Sequence, residues 1–234
     1  MKIEKETSDF TDGGYIHTFT DILDKKVLVV GDCHGCYFEL LELLKLTQII
    51  MVKQNNIIFN KNVIVILLGD VVAKGPSSEK LIELVKAHPN YIFPLKGNHE
   101  DKWIKEEKIY SDFIKTWPYA IRLPEFRVVC VHAGIDSTKQ LNETDPKIFT
   151  CTSTKWIKRY FGPYKILFGH HSELCCSFKS PAVNITYFRN SICLDTGCVY
   201  GYKLSSILLT ISKYHQIRLQ SYQVKSRYNC FKPI

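Results

Sequence analysis

The chain has no long hydrophobic run. Its longest purely aliphatic stretch is VIVILL (63–68), far short of the roughly 20 apolar residues needed to cross a bilayer. The opening residues MKIEKETSDFTD are polar and have no apolar segment of the secretory-signal kind. The expectation is a soluble, cytoplasmic protein with no membrane partner. Neither G-x-G-x-x-G nor G-x-x-x-x-G-K-[ST] occurs, which leaves dinucleotide redox chemistry and P-loop chemistry without support. There is no internal repeat, no low-complexity tract and no Pro/Gly/Ser-rich linker. The nine cysteines are an odd set in a chain read as intracellular, so no disulfide framework is expected. Cys33 and Cys36 form a C-x-x-C, but no second such pair exists to complete a thiolate zinc site, and they read as small buried apolar groups. Acids are scarce in the later half. From Lys155 onward only Glu173 and Asp195 stand against a long series of Lys and Arg, and the whole chain carries a formal charge of +8. Such a surface attracts a polyanionic partner without specifying which one.

With 234 residues and 45% apolar content, the chain can bury one large core. Six segments each run a hydrophobic strand into a tight turn carrying Asp, Asn or His: VLVVGDCHG (27–35), VIVILLGDVV (63–72), IFPLKGNHE (92–100), RVVCVHAG (127–134), ILFGHH (166–171) and ICLDTG (192–197). The carboxyl ends of neighbouring strands in an α/β protein open onto one crevice, so turns far apart in sequence can share one centre. Helical patterns follow the first three turns. Residues 37–50 repeat apolar positions through Phe38, Leu41, Leu44 and Leu46; residues 77–88 can be capped by Ser77 or Ser78 and present Leu81, Leu84 and Val85; residues 100–117 read as one amphipathic helix. From about Phe126 the runs are shorter and β-like, which points to two sheets rather than one doubly wound sheet. Residues 136–165 read as loop and helix near the mouth of the site. Residues 1–26 read as an N-terminal extension, 27–212 as the main domain, and 213–234 as a basic strand and tail packed on it.

Asp32, His34, Asp70, Asn98, His132 and His170 supply six nitrogen or oxygen donors and no thiolate, a set suited to manganese, iron, zinc or cobalt. In the fifth turn His171 is the alternative to His170, and the G-H order at the strand end favours His170. Any one of these residues alone would be an ordinary loop residue; their order at successive strand ends points to metal binding.

The five motifs GDCHG (31–35), GDVVAKG (69–75), GNHE (97–100), VHAG (131–134) and GH (169–170) resemble those of the metallophosphoesterases, or calcineurin-like phosphoesterases. Within that superfamily the chain is most similar to the phosphoprotein-phosphatase branch and to its ApaH-like group, which resembles symmetrical diadenosine tetraphosphatase. KGPSS after the second motif and LDTGCVYG (194–201) carry that finer resemblance. It implies a four-layer α/β/β/α sandwich of two mixed β-sheets flanked by helices. It further implies two divalent metal ions, one held by Asp32, His34 and Asp70, the other by Asp70, Asn98, His132 and His170, with Asp70 shared. Metal-activated hydroxide would attack phosphorus in line, and His99 would protonate the leaving oxygen. The implied substrates are (di)nucleoside polyphosphates or the related polyphosphate and RNA cap; no protein partner is implied.

Two positions depart from the pattern. Protein Ser/Thr phosphatases carry Asp-Arg-Gly where this chain has Ala73-Lys74-Gly75, so the carboxylate that would orient His99 is lost and a point charge replaces a planar fork. Tyr202 stands where the ApaH-like group commonly has a second Gly. Lys74 is the expected phosphate-binding cation, with Arg122, Lys155 and Arg159 as candidates for a second. A Ser/Thr protein phosphatase is the alternative of the same chemistry, and a metal-free interaction scaffold is the alternative of another class.

Overall fold

The computed structural model describes residues 1–6, 15–54, 56–176 and 183–227. In chain order the elements are β1 (Lys2–Glu6), β2 (Ile16–Thr20), β3 (Lys26–Val30), α1 (Tyr37–Leu46), β4 (Ile50–Lys53), β5 (Asn56–Phe59), β6 (Val63–Leu67), α2 (Ser78–Ala87), β7 (Ile92–Pro94), α3 (Asn98–Lys105) and α4 (Ser111–Lys115). There follow β8 (Ala120–Leu123), β9 (Val128–Val131), α5 (Pro146–Thr150), α6 (Lys155–Arg159), β10 (Lys165–Phe168), β11 (Thr186–Tyr187), β12 (Ser191–Cys193), β13 (Lys203–Ile211) and β14 (Ile217–Lys225). One sheet has the order β14-β13-β3-β6-β7 and the other β1-β2-β8-β9-β10-β12-β11, while β4 and β5 form a separate hairpin. Both large sheets are mixed: β3, β6 and β7 run parallel with β13 antiparallel beside them, and β9, β10 and β12 run parallel between antiparallel neighbours.

The β-branched runs KVLVV and VIVIL explain the layering. Buried on both faces, they send alternate side chains in opposite directions. Val27, Val29, Ile64 and Ile66 pack between the sheets against Val128, Cys130, Leu167 and Ile192. Leu28, Val30, Val65 and Leu67 pack outward against Leu40, Leu43 and Leu44 of α1 and Leu81 and Val85 of α2. On the far side, Val129, Val131, Ile166 and Phe168 are covered by Phe149 of α5 and Trp156 of α6. Helices, sheet, sheet and helices thus form the four expected layers. Among the described residues no helix is long and apolar enough to cross a membrane.

Several local expectations are corrected. The first helix ends at Leu46 rather than continuing to residue 50, because Gln48 turns left-handed (φ 56°) and the chain enters the β4–β5 hairpin. Its buried face is Leu40, Leu43 and Leu44 together with Glu39, while Phe38 and Leu46 are exposed by 42% and 51%. Glu39 shares that face, and its Oε1 accepts the Arg227 N–H at 2.8 Å just beyond β14. The helix expected over 100–117 breaks in two. Glu107 and Tyr110 are left-handed (φ 48° and 68°), the Trp103 indole N–H donates to the Ile109 carbonyl at 2.9 Å, and Ser111 Oγ donates to the Lys108 carbonyl. The break lets Ile114 and Trp117 join the outer core. Residues 1–26 include two strands of the larger sheet, with buried Ile16 and Phe19 on β2. Within 136–165, α5 and α6 cover the outer face of that sheet. Eight described cysteines are free thiols, and Cys33 and Cys36 are fully buried.

The observed α1 face makes a stability prediction. Leu40→Ala should cost about 2–5 kcal/mol by chemical denaturation, and Phe38→Ala should cost less than about 1 kcal/mol. The reverse order would contradict the burial described.

Candidate metal centre

Turns from both sheets meet at one end of the sandwich. Two glycines make the approach possible: a Cβ on Gly31 would strike the Leu194 carbonyl, and one on Gly169 would strike the Asp32 carboxylate. Three of the expected ligands themselves sit in the left-handed region, His34 at φ 43°, Asp70 at 46° and His170 at 64°. For residues with a Cβ this conformation is strained, and such strain concentrates at functional sites.

Two donor groups result, His34 with Asp70 and His99, and Asp70 with His132 and His170, the ligand atoms of each lying within 4.8 Å of one another. Asp70 belongs to both: its Oδ2 is 3.4 Å from His34 Nε2 and its Oδ1 is 3.4 Å from His132 Nε2. Hydrogen bonding determines what those nitrogens carry. His132 Nδ1 lies 2.8 Å from the Leu68 carbonyl and His34 Nδ1 lies 3.2 Å from the Val72 carbonyl. A carbonyl can only accept, so each Nδ1 bears the proton and each neutral ring turns an Nε2 lone pair inward. His132 Nε2 then faces Asn98 Oδ1 at 3.1 Å, Asp70 Oδ1 and His170 Nδ1 at 3.2 Å. The inward lone pairs of His34 and His132 thus meet the Asp70 carboxylate and the Asn98 oxygen, and this nitrogen and oxygen set fits divalent cations.

Asp32 is placed differently from the other expected ligands. Both its oxygens accept the His170 backbone N–H, at 3.1 and 3.2 Å, so it ties the first turn to the fifth. Burial, then the charges of Asp195 and Asp70, push its carboxyl well above the usual range. Burial likewise raises Asp70 and Asp195. Burial lowers His34, and holds His132 and His170 at about 3. His171 pairs instead with Glu173 at 2.8 Å, so His170 is the histidine at the centre. Asp195 accepts the Gly197 N–H at 3.0 Å and also adds its charge beside Asp32.

Glu100 has a role that its sequence motif alone does not show. It is fully buried, and its carboxylate accepts four backbone N–H groups: Gly97 (2.8 Å), Asp70 (2.7 Å), Val71 (2.8 Å) and Val72 (3.0 Å). It clamps the turn that presents Asp70 to the turn that presents Asn98 and His99. The signal was a Glu three residues after the helix N-cap, reaching back to the Gly97 N–H as in one half of a capping box, here serving two turns at once.

Lys74 reaches the centre. Ala73 and Lys74 are both left-handed (φ 69° and 62°), and Ser78 Oγ accepts the Ala73 N–H at 3.0 Å. This delivers Lys74 Nζ to 3.2 Å from His34 Nε2, where it also donates to the Tyr200 hydroxyl at 2.8 Å. Tyr200, from the LDTGCVYG segment, is the second residue whose role only the structure brings out. His99 is half-buried, its ring edge-on to His34 with centroids 5.0 Å apart, and its N–H donates to Asp70 Oδ1 at 3.0 Å. Burial and then Lys74 lower it to about 4. Among the described residues no carboxylate bonds its ring, in keeping with Ala at position 73. The other expected cations are elsewhere. Arg122 pairs with Glu6 at 3.0 Å and, with Arg159, lines a separate ≈ 580 Å³ cavity over Val129 and Ile166 on the outer face of the larger sheet; Lys155 is exposed on α6.

This fold and donor set agree with what comparison with other proteins finds. The calcineurin-like phosphoesterase family matches residues 25–201, and the chain belongs to that family of metal-dependent phosphohydrolases. It is 27% identical to the asymmetrical bis(5'-nucleosyl)-tetraphosphatase PrpE of Oceanobacillus iheyensis, over 77% of this chain and 87% of that one. It is 31% identical to the symmetrical bis(5'-nucleosyl)-tetraphosphatase of Wigglesworthia glossinidia brevipalpis, over 46% of this chain and 44% of that one. A solved structure provisionally described as a diadenosine tetraphosphatase shares the fold, with a TM-score of 0.69 and 22% identity over 92% of this chain and 99% of that one.

The titration of these ligands sets a pH dependence. The buried carboxylates have raised affinities for protons, so they take them up as pH falls, while His132 and His170 stay neutral down to about 3. Manganese at about 100 times its Kd should stabilise the fold by about 2.7 kcal/mol near neutral pH. Thermal melts should show that gain shrinking as pH falls from about 8 to about 5, because protons compete for the carboxylates. A gain independent of pH, or larger in acid, would contradict the site.

Proposed function

We propose that this enzyme hydrolyses phosphoanhydride bonds of (di)nucleoside polyphosphates, and that two divalent cations share the Asp70 carboxylate. The observation that carries the two-cation reading is that carboxylate, one oxygen at each of two inward-facing imidazole lone pairs. His34 belongs to one cation; Asn98, His132 and His170 belong to the other, with Asp32 beside them. Bound there, the cations supply Lewis-acid activation of the phosphoryl group and of the attacking water. The chain supplies the rest. Glu100 holds the Asp70 turn, and Lys74, steadied by Tyr200, offers a positive charge to a phosphoryl oxygen. His99 gives a proton to the leaving oxygen: an entering polyphosphate opposes the lowering by burial and Lys74, so substrate binding favours the protonated imidazole. Polyphosphate chains suit Lys74 because a point charge follows a flexible anion without the bidentate geometry an arginine imposes. The two named tetraphosphatases support the same substrate class.

His99→Asn should lower turnover of diadenosine tetraphosphate by at least about 100-fold while elemental analysis finds the metal content unchanged. Loss of metal in that variant would make His99 a ligand instead, a role its place beside His34 and Asp70 allows. Parallel assays with diadenosine tetraphosphate, polyphosphate, capped RNA and a phosphopeptide test the substrate, and preference for the phosphopeptide would overturn the assignment.

A further inference from the structure

Beside the centre lies a cleft of ≈ 540 Å³ whose lining includes Lys74, Ser77, Lys80, Trp103 and Lys108. Three features bear on what it can hold. Lys74 is common to the cleft and to the centre, so a chain held at the metal ligands continues into it. Its three lysines outweigh the one acid in the lining, Glu79, although Lys108 is also paired with Glu106. Its wall also contains an aromatic ring held in place: the Trp103 indole N–H is anchored on the Ile109 carbonyl, and the ring is half-buried, with Lys108 Nζ 4.8 Å from its centre.

Trp103 also lies four residues after His99 on α3, so the two side chains project to the same side of the helix, one turn apart. His99 is placed to protonate the leaving oxygen, and whatever carries that oxygen departs toward Trp103.

We propose that this cleft is the leaving-group subsite for a nucleoside polyphosphate. Lys80 and Lys108 contact phosphates beyond the scissile bond, and the base stacks on Trp103, displacing the Lys108 ammonium from the ring toward the phosphate chain. The proposal deepens the hydrolase reading above and rests on it for the direction of departure.

Trp103 provides its own signal, since Trp117 and Trp156 are buried at 3% and 4% exposure. The full chain with His99→Asn, loaded with manganese, should show saturable indole quenching by adenosine 5'-tetraphosphate and none by inorganic tripolyphosphate, because only the former has a base. Trp103→Phe should abolish the quenching, and Trp103→Ala should weaken adenosine 5'-tetraphosphate by roughly fivefold or more while leaving tripolyphosphate within about twofold. Lys80→Ala should weaken both ligands alike. Binding without quenching, or Trp103→Ala weakening both ligands equally, would overturn the subsite. The two readings fail separately. Wild-type turnover of adenosine 5'-tetraphosphate without quenching keeps the hydrolase and rejects the cleft; quenching without turnover keeps the cleft and rejects the hydrolase.

Discussion

Everything at the centre depends on how the Asp70 carboxylate is held. It follows the buried strand β6 in a left-handed turn that a β-branched residue would resist, and it must present one oxygen to His34 and the other to His132. Nothing in the turn alone fixes that orientation. The His99 backbone N–H, donating to Asp70 Oδ1, holds the carboxylate itself, and Glu100 fixes the backbone beneath it by accepting the N–H groups of residues 70, 71 and 72 along with that of Gly97. A buried carboxylate is costly unless its lone pairs are occupied, and four backbone donors occupy them. The same bonds lock the second and third turns into one rigid unit, so Asp70, Asn98 and His99 keep their relative positions. The clamp is a consequence of parallel β6 and β7, whose carboxyl ends lie side by side.

The second constraint is the meeting of the two sheets. Donors from β3, β6 and β7 must face donors from β9 and β10, and the sheets approach closely because Gly31, Gly69 and Gly169 stand at strand ends. Between the sheets Val27, Val29, Ile64 and Ile66 pack with Val128, Cys130, Leu167 and Ile192 as an apolar cluster. At the end it is the reverse: buried carboxylates of like charge crowd beside imidazoles that burial keeps neutral. An arrangement whose groups repel one another in isolation is sustained by the rigid scaffold, and bound cations would relieve it. Stability and function would then be coupled: the fold supplies preorganisation, and the bound cations would return stabilisation.

Much of this was legible in the sequence because strand, glycine and donor are contiguous. Each turn can be read where it stands: His34, Asp70, Asn98, His132 and His170 lie close to one another, while Asp32 joins neither donor group and holds the His170 backbone beside them. What could not be read depends on contacts between distant segments. The hydrogen bond of Glu39 needs Arg227, the role of Glu100 needs the 70–72 backbone, and the Lys74–Tyr200 pair joins residues from opposite ends of the domain. Arg122 was a reasonable phosphate-binding candidate by charge, yet strand register sets it opposite Val129 and beside Glu6. Residues 16–20 were hidden for another reason: a short strand with both faces buried has little periodicity of its own, and its partners β1 and β8 lie on either side of it.

The central claim is that one carboxylate serves two cations. Metal content after equilibrium dialysis against manganese measures this directly in the wild-type chain, in Asp70→Asn and in Asn98→Ala. The account predicts two ions per chain in the wild type, loss of both in Asp70→Asn, and retention of one in Asn98→Ala. An Asp70→Asn protein that folds and still holds one ion at wild-type affinity would contradict it.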